Sequence, residues 1–74
     1  MDTKKKVGQA IKKQRLQKKK TQIEVAKSIG ISRSYLSDIE NGRYMPSVDT
    51  LIKLASYLDI DLNFLSRMTE IQDY

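Results

Sequence analysis

With 74 residues, the chain can build one compact domain and no more, because short chains bury a smaller fraction of their surface. It contains neither cysteine nor histidine, which excludes a disulfide framework, a thiolate nucleophile, an imidazole base and the usual zinc ligand sets. No metal or cofactor is expected, and a cysteine-free composition fits a cytoplasmic setting. The apolar runs are far shorter than the ~20 residues that span a bilayer, and no hydrophobic signal segment follows the lysine-rich start.

The net charge of +5 is unevenly spread. Residues 1–20 carry nine Lys or Arg against one acid, and residues 21–74 carry five against eight. A concentrated cationic segment favours a polyanion through counterion release, so nucleic acid or an anionic surface is one reading and a solvated basic helix the other. A membrane surface fits less well, since the segment lacks the Trp or Phe anchors of interfacial helices.

In chain order, five short helices are predicted. Val7, Ala10, Ile11 and Leu16 form a loose apolar stripe at helical spacing between about Lys5 and Lys18, with lysines on the other faces. Lys4, Lys5 and Lys6 are expected in a basic N-terminal arm over residues 1–6. Thr21-Gln22-Ile23-Glu24 is a capping box, which opens a second helix that should stop at Gly30. Ser32 caps a third helix running through Asn41, ended by Gly42 as a left-handed residue. Pro46 marks a loop. Ser47 caps a fourth helix with Leu51, Leu54, Ala55 and Leu58, and Asp61 caps a fifth with Leu62, Phe64, Leu65 and Met68. The domain spans residues 7–66, and residues 67–74 form a short tail.

The segment from Gln22 to Ile39 is the most informative. Two short helices cross steeply only where the residue at closest approach is small, which Ala26 supplies. The turn between them needs a residue tolerant of positive φ, which Gly30 supplies. Val25, Ile29, Ile31, Leu36 and Ile39 complete seven constrained positions, of which Val25, Ile29, Leu36 and Ile39 form the shared buried face. This is the pattern of a helix-turn-helix.

Thr21 to Ala26, Gly30 to Gly42 and Pro46-Ser47 closely resemble the Cro/C1-type (Xre-like) helix-turn-helix family, the similarity spanning about residues 6–66. The resemblance implies an all-α, five-helix lambda-repressor-like domain, usually dimeric, that binds operator DNA and often represses transcription. It also implies that the helix from Ser32 enters the major groove. Relatives often pair an arginine of helix one with a glutamate late in helix three, which implies a structural ion pair between Arg15 and Glu40. The family often has leucine where Gln14 stands and an apolar residue near Lys20, so helix one is expected to pack differently, with Leu16 substituting.

With Leu36, Ile39 and part of Tyr35 facing inward, the third helix offers Arg33, Ser34, Ser37 and Asp38 as base-reading candidates. Arg33 can hold guanine O6 and N7 together, or else clamp a phosphate. Asp38 accepts from a cytosine amino group, orients Arg33 or Arg43, or repels wrong sequences. Phosphate contacts are expected from the start of helix two at Thr21 and Gln22, and from Tyr35, Asn41, Arg43 and Tyr44. A single short helix reads too few base pairs for useful specificity, so a homodimer on a palindromic double-stranded operator is expected. Leu62, Phe64, Leu65 and Met68 are the apolar group available for the contact, the alternative being that they close the core beneath helix one. The leading function is a sequence-specific transcriptional regulator. The competing one is an antitoxin or repressor-antagonist module that holds a protein partner. No enzyme is indicated, because Asp59 and Asp61 have no partner base, glycine loop or metal cluster beside them.

Overall fold

The computed structural model describes residues 3–61 and 63. They form four helices in chain order: α1 (Thr3–Gln17), α2 (Gln22–Ile29), α3 (Arg33–Glu40) and α4 (Val48–Leu58). No strand occurs among the described residues. The predicted fifth helix, with Leu62, Phe64, Leu65 and Met68, lies outside them, as does the 67–74 tail. At its expected start, the Asn63 N–H donates to Asp61 Oδ1 at 2.8 Å.

Each boundary has a local cause. Thr21 stands in extended backbone, its Oγ1 accepts from Glu24 N at 3.1 Å, and its own N–H donates to Glu24 Oε1 at 2.8 Å. Two of the donors that a helix start leaves unpaired are thereby satisfied reciprocally. Ser32 and Ser47 repeat the first half of this arrangement, accepting from Tyr35 N at 3.0 Å and from Thr50 N at 3.1 Å. Gly30 ends α2 at φ 78°, where a residue with a Cβ would be strained. Asp59 ends α4 in the same left-handed region at φ 57°, which aspartate tolerates better than most residues.

α1 packs on α3 and α4, and α2 packs on the same two helices. Val7, Ile11, Val25, Leu36, Ile39, Leu54 and Leu58 are completely buried between them, with Ala26, Ile29 and Ala55 nearly so. Fully burying one such branched or aliphatic side chain contributes about 1.5–3 kcal/mol.

Two expectations for α1 need correction. The helix begins at Thr3, so Lys4, Lys5 and Lys6 belong to its first turns and do not form an arm. Leu16 is 56% exposed and does not replace the apolar residue absent at Gln14. The buried side chains of α1, Val7, Ile11 and Arg15, follow a four-residue spacing, with buried Gly8 next to the first of them. Leu16 lies one residue, or about 100°, further round the helix. Gln14 instead donates from Nε2 to the Leu58 carbonyl at 3.0 Å, covering one of the acceptors at the end of α4.

Gly8 has a tertiary function that the sequence pattern does not announce. It is buried where α1 crosses the end of α3, and a Cβ on it would stand 2.2 Å from the Ile39 carbonyl oxygen and 2.8 Å from that of Glu40. Gly42, buried at φ 77°, lies against Lys5 in the same crossing. The backbone of α1 thus rests directly on the carboxyl end of α3.

Candidate nucleic-acid interface

The outward face of α3 follows from its buried one. Leu36, Ile39 and Glu40 point into the molecule, which turns Ser34, Ser37 and Asp38 the other way, while Arg33, seven residues before Glu40 and so near its side of the helix, is exposed at the amino end of α3. Arg33 and Ser34 are exposed, and Ser37 and Asp38 are half-buried. Arg33 makes no hydrogen bond or ion pair with another described residue. It lines a shallow groove with Lys19, Thr21 and Gln22, where the end of α1 meets the starts of α2 and α3.

Asp38 is not a bare acid. Its Oδ1 accepts from Arg43 Nη1 at 2.9 Å, and its side chain is 26% exposed. The Arg43 N–H donates to the Asp38 carbonyl at 2.9 Å, and Gly42, between the end of α3 and Arg43, takes the positive φ that turns the chain back. Asn41 Nδ2 donates to Ser37 Oγ at 3.4 Å. The third helix and the loop after it therefore form one polar surface.

Behind this surface lies the Arg15–Glu40 pair. Arg15 donates from Nε to Glu40 Oε2 at 2.7 Å and from Nη2 to Oε1 at 3.0 Å, both side chains being more than nine-tenths buried. Its Nη1 reaches the Lys20 carbonyl at 2.9 Å, just before the cap of α2. Gln22 Nε2 donates to Glu40 Oε1 at 3.0 Å. One guanidinium thereby fixes the end of α3, the α1–α2 turn and, through Glu40, the first residue of α2. No buried side-chain polar atom among the described residues lacks a partner, as a buried charge pair requires.

The other candidates fall into place around this frame. The side chains of Thr21 and Gln22 are occupied, the first by the capping box and the second by Glu40. What α2 still offers is the backbone N–H groups of Gln22 and Ile23. The Thr21 N–H holds the Glu24 carboxyl below the ordinary glutamate range against an opposing effect of burial, with the Thr21 hydroxyl and Lys20 adding smaller contributions in the same direction. Tyr35 packs against the core, and its hydroxyl accepts from Ser47 N at 3.4 Å, whereas Tyr44 is 56% exposed. Among the lysines ending α1, Lys18 pairs with Asp59 and the Lys20 ammonium sits 6.0 Å from the centre of the Tyr57 ring. Lys19 takes a left-handed backbone, at φ 57°. The partners of Lys18 and Lys20 are 41 and 37 residues away in sequence, which is why charge counting alone cannot separate the three.

The profile of the helix-turn-helix family matches residues 11–65, most of the chain. This chain belongs to the Cro/C1-type helix-turn-helix family. It is 56% identical over 68 residues to the ImmF control region 10 kDa protein of Bacillus phage phi105, covering 92% of this chain and 74% of that protein. It is 47% identical over 57 residues to the immunity repressor protein of the same phage, covering 77% of this chain and 40% of the repressor. It is 38% identical over 60 residues to the HTH-type transcriptional regulator SinR of Bacillus subtilis, covering 80% and 54% of the two chains. Within this helix-turn-helix family, α2 and α3 are the two helices of the motif and α3 is its recognition helix. No described helix is long and apolar enough to cross a membrane.

Proposed function

We propose that this chain is a sequence-specific transcriptional regulator, a repressor that binds a palindromic double-stranded operator as a homodimer. The observation that carries the reading is the exposed surface of α3, which combines an Arg33 without a partner among the described residues and an acid, Asp38, already clamped by a second arginine. A bare carboxylate would repel the phosphates flanking the groove. Clamped by Arg43, Asp38 keeps an accepting oxygen while its charge is offset.

In this arrangement Arg33 reads guanine through O6 and N7, and Asp38 accepts from an exocyclic amino group. Ser34 and Ser37 fill the space between them with adaptable hydroxyls. Phosphates on one side meet the Gln22 and Ile23 N–H groups beside Thr21, and on the other Asn41, Arg43, Tyr44 and the Tyr35 hydroxyl, whose hydrogen is free to donate. The relatives' names support the regulatory assignment, a phage immunity repressor and SinR among them.

Selecting bound sequences from random duplex DNA tests the reading. The expected product is a palindromic consensus with half-site centres about one helical turn apart. A non-palindromic consensus, or binding that does not distinguish the selected duplex from random DNA, would sink it.

A further inference from the structure

The side of α1 turned toward the end of α3 carries a polar strip that lies outside the helix-turn-helix motif. Lys5, Gln9 and Lys12 are exposed there and line one shallow hollow with Asn41 and Glu40. The two lysines are seven residues apart, which sets them about 20° apart around the helix and about 10.5 Å apart along it. Neither makes a hydrogen bond or ion pair with another described residue. Lys18, by contrast, pairs with Asp59. The acid in the hollow does not neutralise them, because both Glu40 oxygens are held by Arg15 and Oε1 also by Gln22. The backbone fixes the strip against the end of α3: a Cβ on Gly42 would stand 2.9 Å from Lys5 Cα.

From this we infer that Lys5, Gln9 and Lys12 form a phosphate-binding site for the flank of the DNA duplex, carried by α1 and continuous with the phosphate contacts of the motif. The inference rests on the DNA-binding reading given above and extends the contact surface to a third helix. Glu40 marks the continuity. Gln22, whose N–H is offered at the start of α2, bonds Glu40 from one side, while Asn41 follows it in the chain and Lys5 and Lys12 flank it from α1. Donors therefore run along the side of α3 that carries Glu40, from Gln22 past Asn41 to Lys12 and Lys5. A duplex strand presents its charges at a regular repeat, so cations two helical turns apart can be engaged together. A single small anion could not bridge them. Ammonium groups on flexible stems suit such contacts, which need charge but no fixed angle, and the Gln9 amide adds a donor between them.

The test compares substitutions of equal charge. Lys13, exposed about 100° round the helix from Lys12 and lining a separate hollow with Asp59, is the control. Affinity of the full chain for a duplex taken from the random-sequence selection is measured between about 50 and 200 mM salt. Each phosphate contact contributes about 0.9 to the slope of log affinity on log salt, or about 3.5-fold over that range. Lys5→Gln and Lys12→Gln are each expected to remove about one contact's share. The double variant K5Q/K12Q then loses about 12-fold less affinity than the wild type across the range, whereas Lys13→Gln keeps the wild-type slope. All variants keep the preference for selected over random duplex, and circular dichroism melts check that the exposed substitutions leave folding intact. Ethylation of phosphates at the flank of a half-site is expected to weaken binding of the wild type and not of the double variant.

Slopes for Lys5→Gln and Lys12→Gln that match that of Lys13→Gln overturn the inference while leaving DNA binding standing, as does an ethylation pattern unchanged in the double variant. Inorganic phosphate that competes with the duplex beyond its ionic strength would assign the hollow to a single anion and overturn it likewise. Failure of the wild type to prefer its selected duplex would instead overturn the DNA-binding reading itself.

Discussion

Replacing Gly8 by alanine should destabilise the protein even though helix propensity says the opposite. In the interior of α1, alanine is favoured over glycine by about 1 kcal/mol. Here the new Cβ would lie 2.2 Å from the Ile39 carbonyl oxygen, well inside the 3.4 Å at which ordinary contact begins, and 2.8 Å from the Glu40 oxygen. Both obstacles are backbone atoms at the end of α3 and cannot swing aside as a side-chain tip could. Relief requires α1 to lift off α3, which opens the packing of Val7 and Ile11 and stretches the Arg15–Glu40 bonds. Overpacking of this kind costs about 1–3 kcal/mol, occasionally more, and the strained ion pair places Gly8→Ala at the upper end, for a net loss of about 2 kcal/mol after the propensity gain. For a domain of this size that lowers the melting temperature by roughly 8–16 °C. Thermal unfolding followed by circular dichroism reads it directly, with Gln9→Ala, at an exposed neighbouring position, as the control within about 0.5 kcal/mol of wild type. A melting temperature that rises in Gly8→Ala would refute the close approach of α1 to α3.

Glu40→Ala strands the Arg15 guanidinium in the interior and should cost about 3–5 kcal/mol, a large share of the roughly 4–11 kcal/mol expected for 74 residues; urea unfolding that shows a loss below 1 kcal/mol would contradict the buried pair. Arg33→Ala should cost about 1–3 kcal/mol in discrimination between the selected site and a variant at the contacted base pair, and an unchanged discrimination ratio in a binding titration would remove Arg33 from base reading. Arg43→Ala should weaken operator binding by more than a lost phosphate contact explains, because it also uncovers Asp38; adding Asp38→Asn should recover part of the loss, and a double variant as weak as the sum of the singles would show that the two side chains act apart. Glu24, whose folded pKa is depressed, contributes stability that is present above the ordinary glutamate range and lost as pH falls through the lower folded value. Glu24→Gln should flatten that part of the pH–stability curve, and an unaltered acid limb would count against the capping box.

What was legible in the sequence was what short-range chemistry dictates. Thr21, Ser32 and Ser47 announce helix starts because each cap acts three residues away, and Gly30 and Gly42 announce turns because positive φ is a property of the residue itself. The features that pattern reading misplaced or missed depend on partners far along the chain. Leu16 extends the loose apolar stripe of α1, whereas the helix buries Arg15 in its place, and the distant Glu40 permits this by pairing the buried charge. Gln14 looked like a defect in the core and proves to be a donor to Leu58, 44 residues on. Gly8 carries no local signal at all, since the atoms that forbid a side chain there belong to residues 39 and 40.

The same separation of local from distant effects accounts for the charge on the recognition helix. Taken alone, α3 carries Asp38 and Glu40 against Arg33, a poor balance for a helix that must lie between phosphate chains. Each acid is matched by an arginine from another element: Arg15 of α1 holds Glu40 from inside, and Arg43 of the following loop holds Asp38 at the surface. With both acids offset, the charge that α3 presents outward is that of Arg33. The lysines of the first twenty residues then have a separate part, drawing the protein toward DNA over a range set by salt. On the proposed reading, long-range attraction to DNA and recognition of one site in it are carried by different segments of the chain. Raising the salt concentration should erode the first far more than the second.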